Sequence, residues 1–94
     1  MSTRMRADAQ KFTHDNFALS TTAQTRTLPK ACTSILIDNV DTTISVLVSF
    51  DAGATFKTVK AGTVLALDID SLVNYQIKSA LGTPSVECLY GSEA

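Results

Sequence analysis

Between Thr43 and Phe50 the chain alternates apolar and polar positions. Ile44, Val46, Val48 and Phe50 fall on one side, and Thr43, Ser45 and Ser49 on the other, where Leu47 is the apolar exception. A period of two predicts an extended strand with one buried face. Asp51-Ala52-Gly53-Ala54 then turns the chain: Gly53 reaches a positive φ without steric cost, and the Asp51 carboxylate is placed to accept from the N–H groups after it. Thr55–Val59 is again β-prone, so the pair reads as a hairpin. Similar runs recur at 32–37, 63–69, 73–78 and 85–90, punctuated by Asp38–Asp41, Ala61-Gly62, Asp70-Ser71 and Leu81–Pro84. Within them Leu65, Leu67 and Ile69 share a face. Val73, Tyr75 and Ile77 point inward, and Val86, Cys88 and Tyr90 alternate with Ser85, Glu87 and Leu89. Short strands at regular spacing, with no helical pattern between them, predict an all-β fold: a small antiparallel β-sandwich or barrel of about six to seven strands with an extended N-terminal arm.

That arm is residues 1–31, set against a body of residues 32–94. Ala7–Phe12 reads as a helical turn or two, Ser20–Thr27 is rich in Ser, Thr and Gln, and Pro29 pushes Leu28 towards extended geometry. Ordering such a segment costs roughly 1–2 kcal/mol per residue in backbone entropy. Burial returns about 1.5–3 kcal/mol for each of Met5, Phe12, Phe17, Leu19 and Leu28. Side chains alone cannot hold it, so it is either disordered in isolation or held by strand-like pairing along its own body or another chain. The expectation is an arm that becomes ordered on assembly, with Arg4, Arg6, Phe12, Phe17, Leu19 and Arg26 as its contact residues.

Composition sharpens this. The 94 residues contain no Trp and few other aromatics, so the core is thin and help from neighbouring subunits is expected. No apolar run approaches the roughly 20 residues that span a bilayer, and no apolar stretch follows the N-terminal basic residues, so the reading has no membrane partner and places synthesis in a cytoplasm. The net charge of −1 hides an asymmetry. Residues 1–31 carry Arg4, Arg6, Lys11, Arg26 and Lys30 against Asp8 and Asp15, for +3. Residues 32–94 carry three lysines against seven carboxylates, for −4. A basic arm suits an acidic partner such as the body of the next subunit, whereas five dispersed cations without interleaved aromatics argue against nucleic acid.

The candidate chemistry is sparse. Cys32 and Cys88 open the first body strand and sit in the last, where a disulfide is conceivable, but a cytoplasmic origin favours buried thiols. His14 has no acid–base partner nearby in sequence, and Asp68 and Asp70 lack the further oxygen ligands that calcium needs. No metal-ligand spacing, phosphate loop, dinucleotide fingerprint or nucleophile motif is present. The chain is therefore expected to be neither an enzyme nor a holder of a cofactor or metal.

Two resemblances attach to the hairpin. Ser49-Phe50-Asp51-Ala52-Gly53-Ala54-Thr55-Phe56 resembles the Asp-box, S-x-D-x-G-x-T-W/F, of sialidase-type propellers, where the box is a structural hairpin away from the active site. It implies a turn built by Ser49, Asp51, Gly53, Thr55 and Phe56. More broadly, Leu28–Cys32, Ile35–Asn39, Val48–Phe56 and Val59–Thr63 are similar to small virion proteins of tailed bacteriophages, with Ala52 where Gly is common. That resemblance implies a structural virion protein, assembled in the host cytoplasm. It would decorate and stabilise the capsid by bridging major capsid subunits, and its partners would be the major capsid protein, other virion proteins and further copies of itself as dimer or trimer. The alternative is a tail, tail-fibre or adaptor component. A carbohydrate-binding module stands behind both, since Tyr75, Tyr90 and core-like Phe residues equip it poorly.

Overall fold

The computed structural model of the chain describes residues 10–93. They form six antiparallel strands and no helix: β1 (Gln10–Ala18), β2 (Gln24–Asp38), β3 (Val46–Ser49), β4 (Lys57–Val59), β5 (Val64–Ser79) and β6 (Ser85–Glu93). One sheet contains them all, in the order β1-β6-β2-β5-β3-β4. The all-β, antiparallel character expected from the alternation is thus present.

Two long strands organise the sheet. The first part of β2 (Gln24–Thr27) pairs with Asn74–Ile77 of β5, and its last part (Ser34–Asp38) pairs with Val64–Asp68 of β5 on one side and Glu87–Gly91 of β6 on the other. Register shifts separate the two parts, between Thr27 and Cys32 and between Cys32 and Ser34. Such irregularities bend a strand and increase its local twist. β3 continues the sheet from the second half of β5, and β1 continues it from β6. Leu28, Ile35, Ile37, Val46, Val48, Tyr75, Ile77, Val86, Cys88 and Tyr90 belong to a single buried core.

Several expectations are corrected. No boundary falls after residue 31, because β2 runs through it, and β1 lies antiparallel on β6 from Gln10↔Glu93 to Ala18↔Ser85. Residues 10–18 and 24–27 therefore pair within their own body, and Leu19 and Leu28 are core residues, 2% and 4% exposed. The helical turn expected at 7–12 is strand from Gln10 onward, with the remainder outside the described residues. The runs at 63–69 and 73–78 are one strand, β5; Asp70-Ser71 marks the bend and no break. Val73, expected inward, is 50% exposed, whereas Tyr75 and Ile77 of the same alternation are buried. Phe50 likewise leaves the buried face as β3 ends at Ser49.

Candidate functional site

The hairpin residues come together as the Asp-box resemblance implies. Ser49 Oγ donates to Asp51 Oδ1 at 2.6 Å and accepts from the Gly53 N–H at 2.8 Å. Asp51 Oδ1 accepts from the Thr55 N–H at 2.9 Å, and its other oxygen accepts from the Thr55 hydroxyl. Hydrogen bonds from Ser49 and Thr55 hold the Asp51 carboxyl down at about 2, because each favours the charged form. Ala52 and Gly53 both take positive φ, 60° and 88°. Phe56 packs beneath Lys78, whose Nζ lies 4.4 Å from the ring centroid. Every acceptor here is spent on the turn itself, so the chemistry is that of a brace.

A second brace secures the neighbouring loops. Asn39 is fully buried, and its Nδ2 donates to the carbonyls of Ile44 and Val59, both at 2.9 Å. Its backbone N–H donates to Thr63 O and its carbonyl accepts from Gly62 N–H, each at 3.0 Å. One side chain thereby ties the β2–β3 connection to the end of β4. Asp41 caps the same connection by accepting from the Thr43 and Ile44 N–H groups at 2.8 and 2.9 Å, which lower its pKa.

A polar cluster joins side chains of β1, β2, β5 and β6, and the sequence did not point to it. Arg26 on β2 grips Asp15 on β1 with both ends of its fork, Nη2 to Oδ1 at 2.7 Å and Nε to Oδ2 at 3.2 Å. Its guanidinium carbon stands 3.8 Å from the centroid of Phe17, and Nη1 reaches Gln24 Oε1 at 3.1 Å. Burial pulls the Arg26 pKa down, but the hydrogen bond and charge of Asp15 outweigh it and the net shift is upward. Tyr90 donates to Asp15 Oδ2 at 2.7 Å, and the Tyr75 hydroxyl lies 2.6 Å from that of Tyr90. Burial raises both phenols, and lifts the Cys88 thiol to about 11 beside them. A thiol held that high is almost wholly protonated near neutrality, so Cys88 is no nucleophile. Cys32 and Cys88 are both buried, and no disulfide joins them.

Of the expected arm residues, Phe17 and Arg26 belong to this cluster, Leu19 is core, and Phe12 stands on the outward face of β1, 42% exposed. Arg4 and Arg6 lie outside the described residues. His14 is exposed on β1, and Asp68 is exposed on β5. Among the described residues no group of three or more His, Cys, Asp or Glu is placed to hold a metal ion, and no helix is long and apolar enough to cross a membrane.

The outward face mixes apolar side chains with carboxylates. On the face of β1, β6, β2 and β5 turned away from the core, two shallow depressions of about 300 and 200 Å³ adjoin across Leu36 and Leu89. Phe12 packs at one end against Gly91, where an added Cβ would lie 3.1 Å from the ring. Comparison with protein-family models, with curated proteins and with solved structures finds no match to this chain.

Proposed function

We propose that the chain is a non-catalytic structural module of a tailed-bacteriophage virion, decorating the capsid and bridging neighbouring major capsid subunits. The observation that carries this reading is the division of its chemistry. The ionisable groups of the interior, Asp15, Arg26, Tyr75, Tyr90 and Cys88, are committed to one another, while the outward face presents Phe12, Leu36 and Leu89 around a groove. A surface of that kind serves contact with other chains. The resemblance to small virion proteins supplies the particular setting.

The body reads as a sandwich made from one sheet folded over itself at the bends of β2 and β5. The Tyr75–Tyr90 contact between the halves and the 18 Å shortest extent of the molecule support this, since two stacked layers lie roughly 10 Å apart before side chains are added. Attachment then falls to the outer surface of the body and to the basic residues ahead of β1, in place of the longer arm expected from the sequence. The buried Tyr75 and Tyr90 leave no tyrosine for stacking on sugars, which counts against a carbohydrate-binding module.

Imaging of intact particles tests the reading. Hundreds of copies over the shell are expected. A handful at the tail would transfer the protein to the tail or adaptor class, and absence from particles would overturn the virion assignment.

A further inference from the structure

The first half of β5 is an edge of the sheet. Val64–Asp68 pairs with β2 on one side, whereas β3 takes up β5 only at Gln76–Ser79, so among the described residues no strand pairs with the other side. The alternation of the ladder says which backbone groups this leaves bare. The Asn39 N–H donates to Thr63 O at 3.0 Å and continues the β2–β5 register. Thr63, Leu65 and Leu67 therefore turn their N–H and C=O groups towards β2, and Val64, Ala66 and Asp68 turn theirs to the open side. The Leu19 N–H bond to Pro84 O, which continues the β1–β6 register, gives the same parity when carried across β6 and β2.

The core thins at the same place. Ile35 and Ile37 of β2 are 2% and 0% exposed, but their partners Leu67 and Leu65 are only partly buried, as is Ile69. On the outward side Val64 is 53% exposed, and Ala66 is exposed beside it. An apolar edge with bare donors and acceptors is a template for a further strand, and Asp68 is the only charge along Val64–Ile69 to discourage one.

We infer that this edge pairs antiparallel with the same edge of a second copy of the chain, about a twofold axis at Ala66. In that register the strand is its own complement. Ala66 faces the partner's Ala66 and Val64 faces the partner's Asp68 as hydrogen-bonded pairs. Leu65 meets the partner's Leu67 as a non-hydrogen-bonded pair, the kind in which side chains approach most closely. Four half-buried leucines thereby cover one another. The two Asp68 carboxylates fall at opposite ends, about 13 Å apart along the strand. An axis at Leu67 would set them diagonally across from each other and one at Asp68 would set them face to face, which like charges oppose. Other edges of the sheet do not match: β1 carries Asp15 inward, Gln24–Thr27 of β2 is polar, and β4 spans three residues. A foreign strand would have to reproduce the apolar pattern that every copy already brings, and self-pairing through one patch closes a dimer.

The virion assignment does not enter this argument, and the test uses the isolated full chain. Sedimentation equilibrium should show monomers exchanging with dimers. Ala66→Lys and Ala66→Glu each set like charges opposite one another at the axis and should weaken association by roughly fivefold or more. Mixing these two variants should restore it as a heterodimer. Ala66→Pro should abolish the dimer and leave the denaturation midpoint of the monomer nearly unchanged, because the N–H it removes faces the open side. Leu67→Pro, whose N–H serves the ladder to β2, should lower that midpoint. A chain that stays monomeric at high concentration, a dimer indifferent to both charged variants, or a mixture that fails to associate would each overturn the inference. Should Ala66→Pro unfold the chain, the charged pair decides alone. If the unmodified chain is monomeric and Ala66→Lys abolishes particle binding, the edge takes a strand of another virion protein; the second-copy assignment then falls and the virion reading stands. If the chain dimerises through Ala66 and joins no particle, the virion reading falls and the dimer contact stands.

Discussion

The hydroxyl of Tyr75 lies 2.6 Å from that of Tyr90, linking the second half of β5 to β6 across the interior. Tyr90 spends its single proton on Asp15, so at the shared contact Tyr75 is the donor. The order Tyr75 to Tyr90 to Asp15, with Arg26 closing from the other side, makes the two substitutions unequal. Tyr90→Phe removes a hydrogen bond to a charged acceptor and should cost roughly 1.5–3 kcal/mol, whereas Tyr75→Phe removes a neutral one and should cost about 1 kcal/mol. The two losses should not add, because they share a partner. Urea denaturation of the single and double variants measures this.

The Asp51 carboxyl, held at about 2 by Ser49 and Thr55, ties stability to acid. Its folded pKa lies below the ordinary value of 3.8, so its contribution is fully present above that value and is lost as pH falls from about 4 towards 2. Denaturation midpoints measured across that window should fall for the native chain. In Asp51→Ala the midpoint should be lower at neutral pH and should change less across the same window.

Neighbouring positions at the hairpin tip should respond with opposite signs. Gly53→Ala places a β-carbon at φ 88° and 2.7 Å from the Gln76 amide oxygen. The amide can swing away, so the backbone dominates, at about 1–2 kcal/mol of destabilisation. Ala52 already bears such a cost at φ 60°, and Ala52→Gly should gain roughly 0.5–1 kcal/mol. Thermal melts of the two variants, compared with the parent, check both signs.

Asn39→Ala strands two carbonyls, those of Ile44 and Val59, that its amide satisfies. A destabilisation of about 2–4 kcal/mol is expected, since each orphaned buried polar group costs roughly 1–3 kcal/mol. Hydrogen exchange should accelerate first in the connections on either side of β3 and β4. Uniform acceleration across the sheet would refute the local role assigned to this residue.

The strands of the body were legible because their inward positions are apolar: Tyr75 and Ile77, then Val86, Cys88 and Tyr90, alternate in sequence as they do in the sheet. The hairpin was legible from Ser49, Asp51, Gly53 and Thr55, since its hydrogen bonds are local. β1 was hidden for the opposite reason. Its inward positions, Thr13, Asp15 and Phe17, include a carboxylate whose partners, Arg26 and Tyr90, lie 11 and 75 residues away. No periodicity reports a polar residue neutralised at that distance, so the strand read as a loose arm. The one available signal was a chain-wide pairing of unlike charges between two polar-rich stretches, and that is weak without a structure. The continuity of β5 was equally hidden, because Asp70-Ser71 looks the same whether a strand ends there or bends.

The pairing of β1 with β6 sets Gln10 beside Glu93, so the described chain sets out and finishes at one corner of the molecule. A short peptide could therefore weld the two ends into a ring, and fresh ends could be cut at the exposed tip around Leu81, yielding a permuted protein in which the order of strands along the gene changes while their neighbours do not. Anything grafted before residue 10 or after residue 93 would also emerge from that shared corner, leaving the opposite end of the sheet unencumbered.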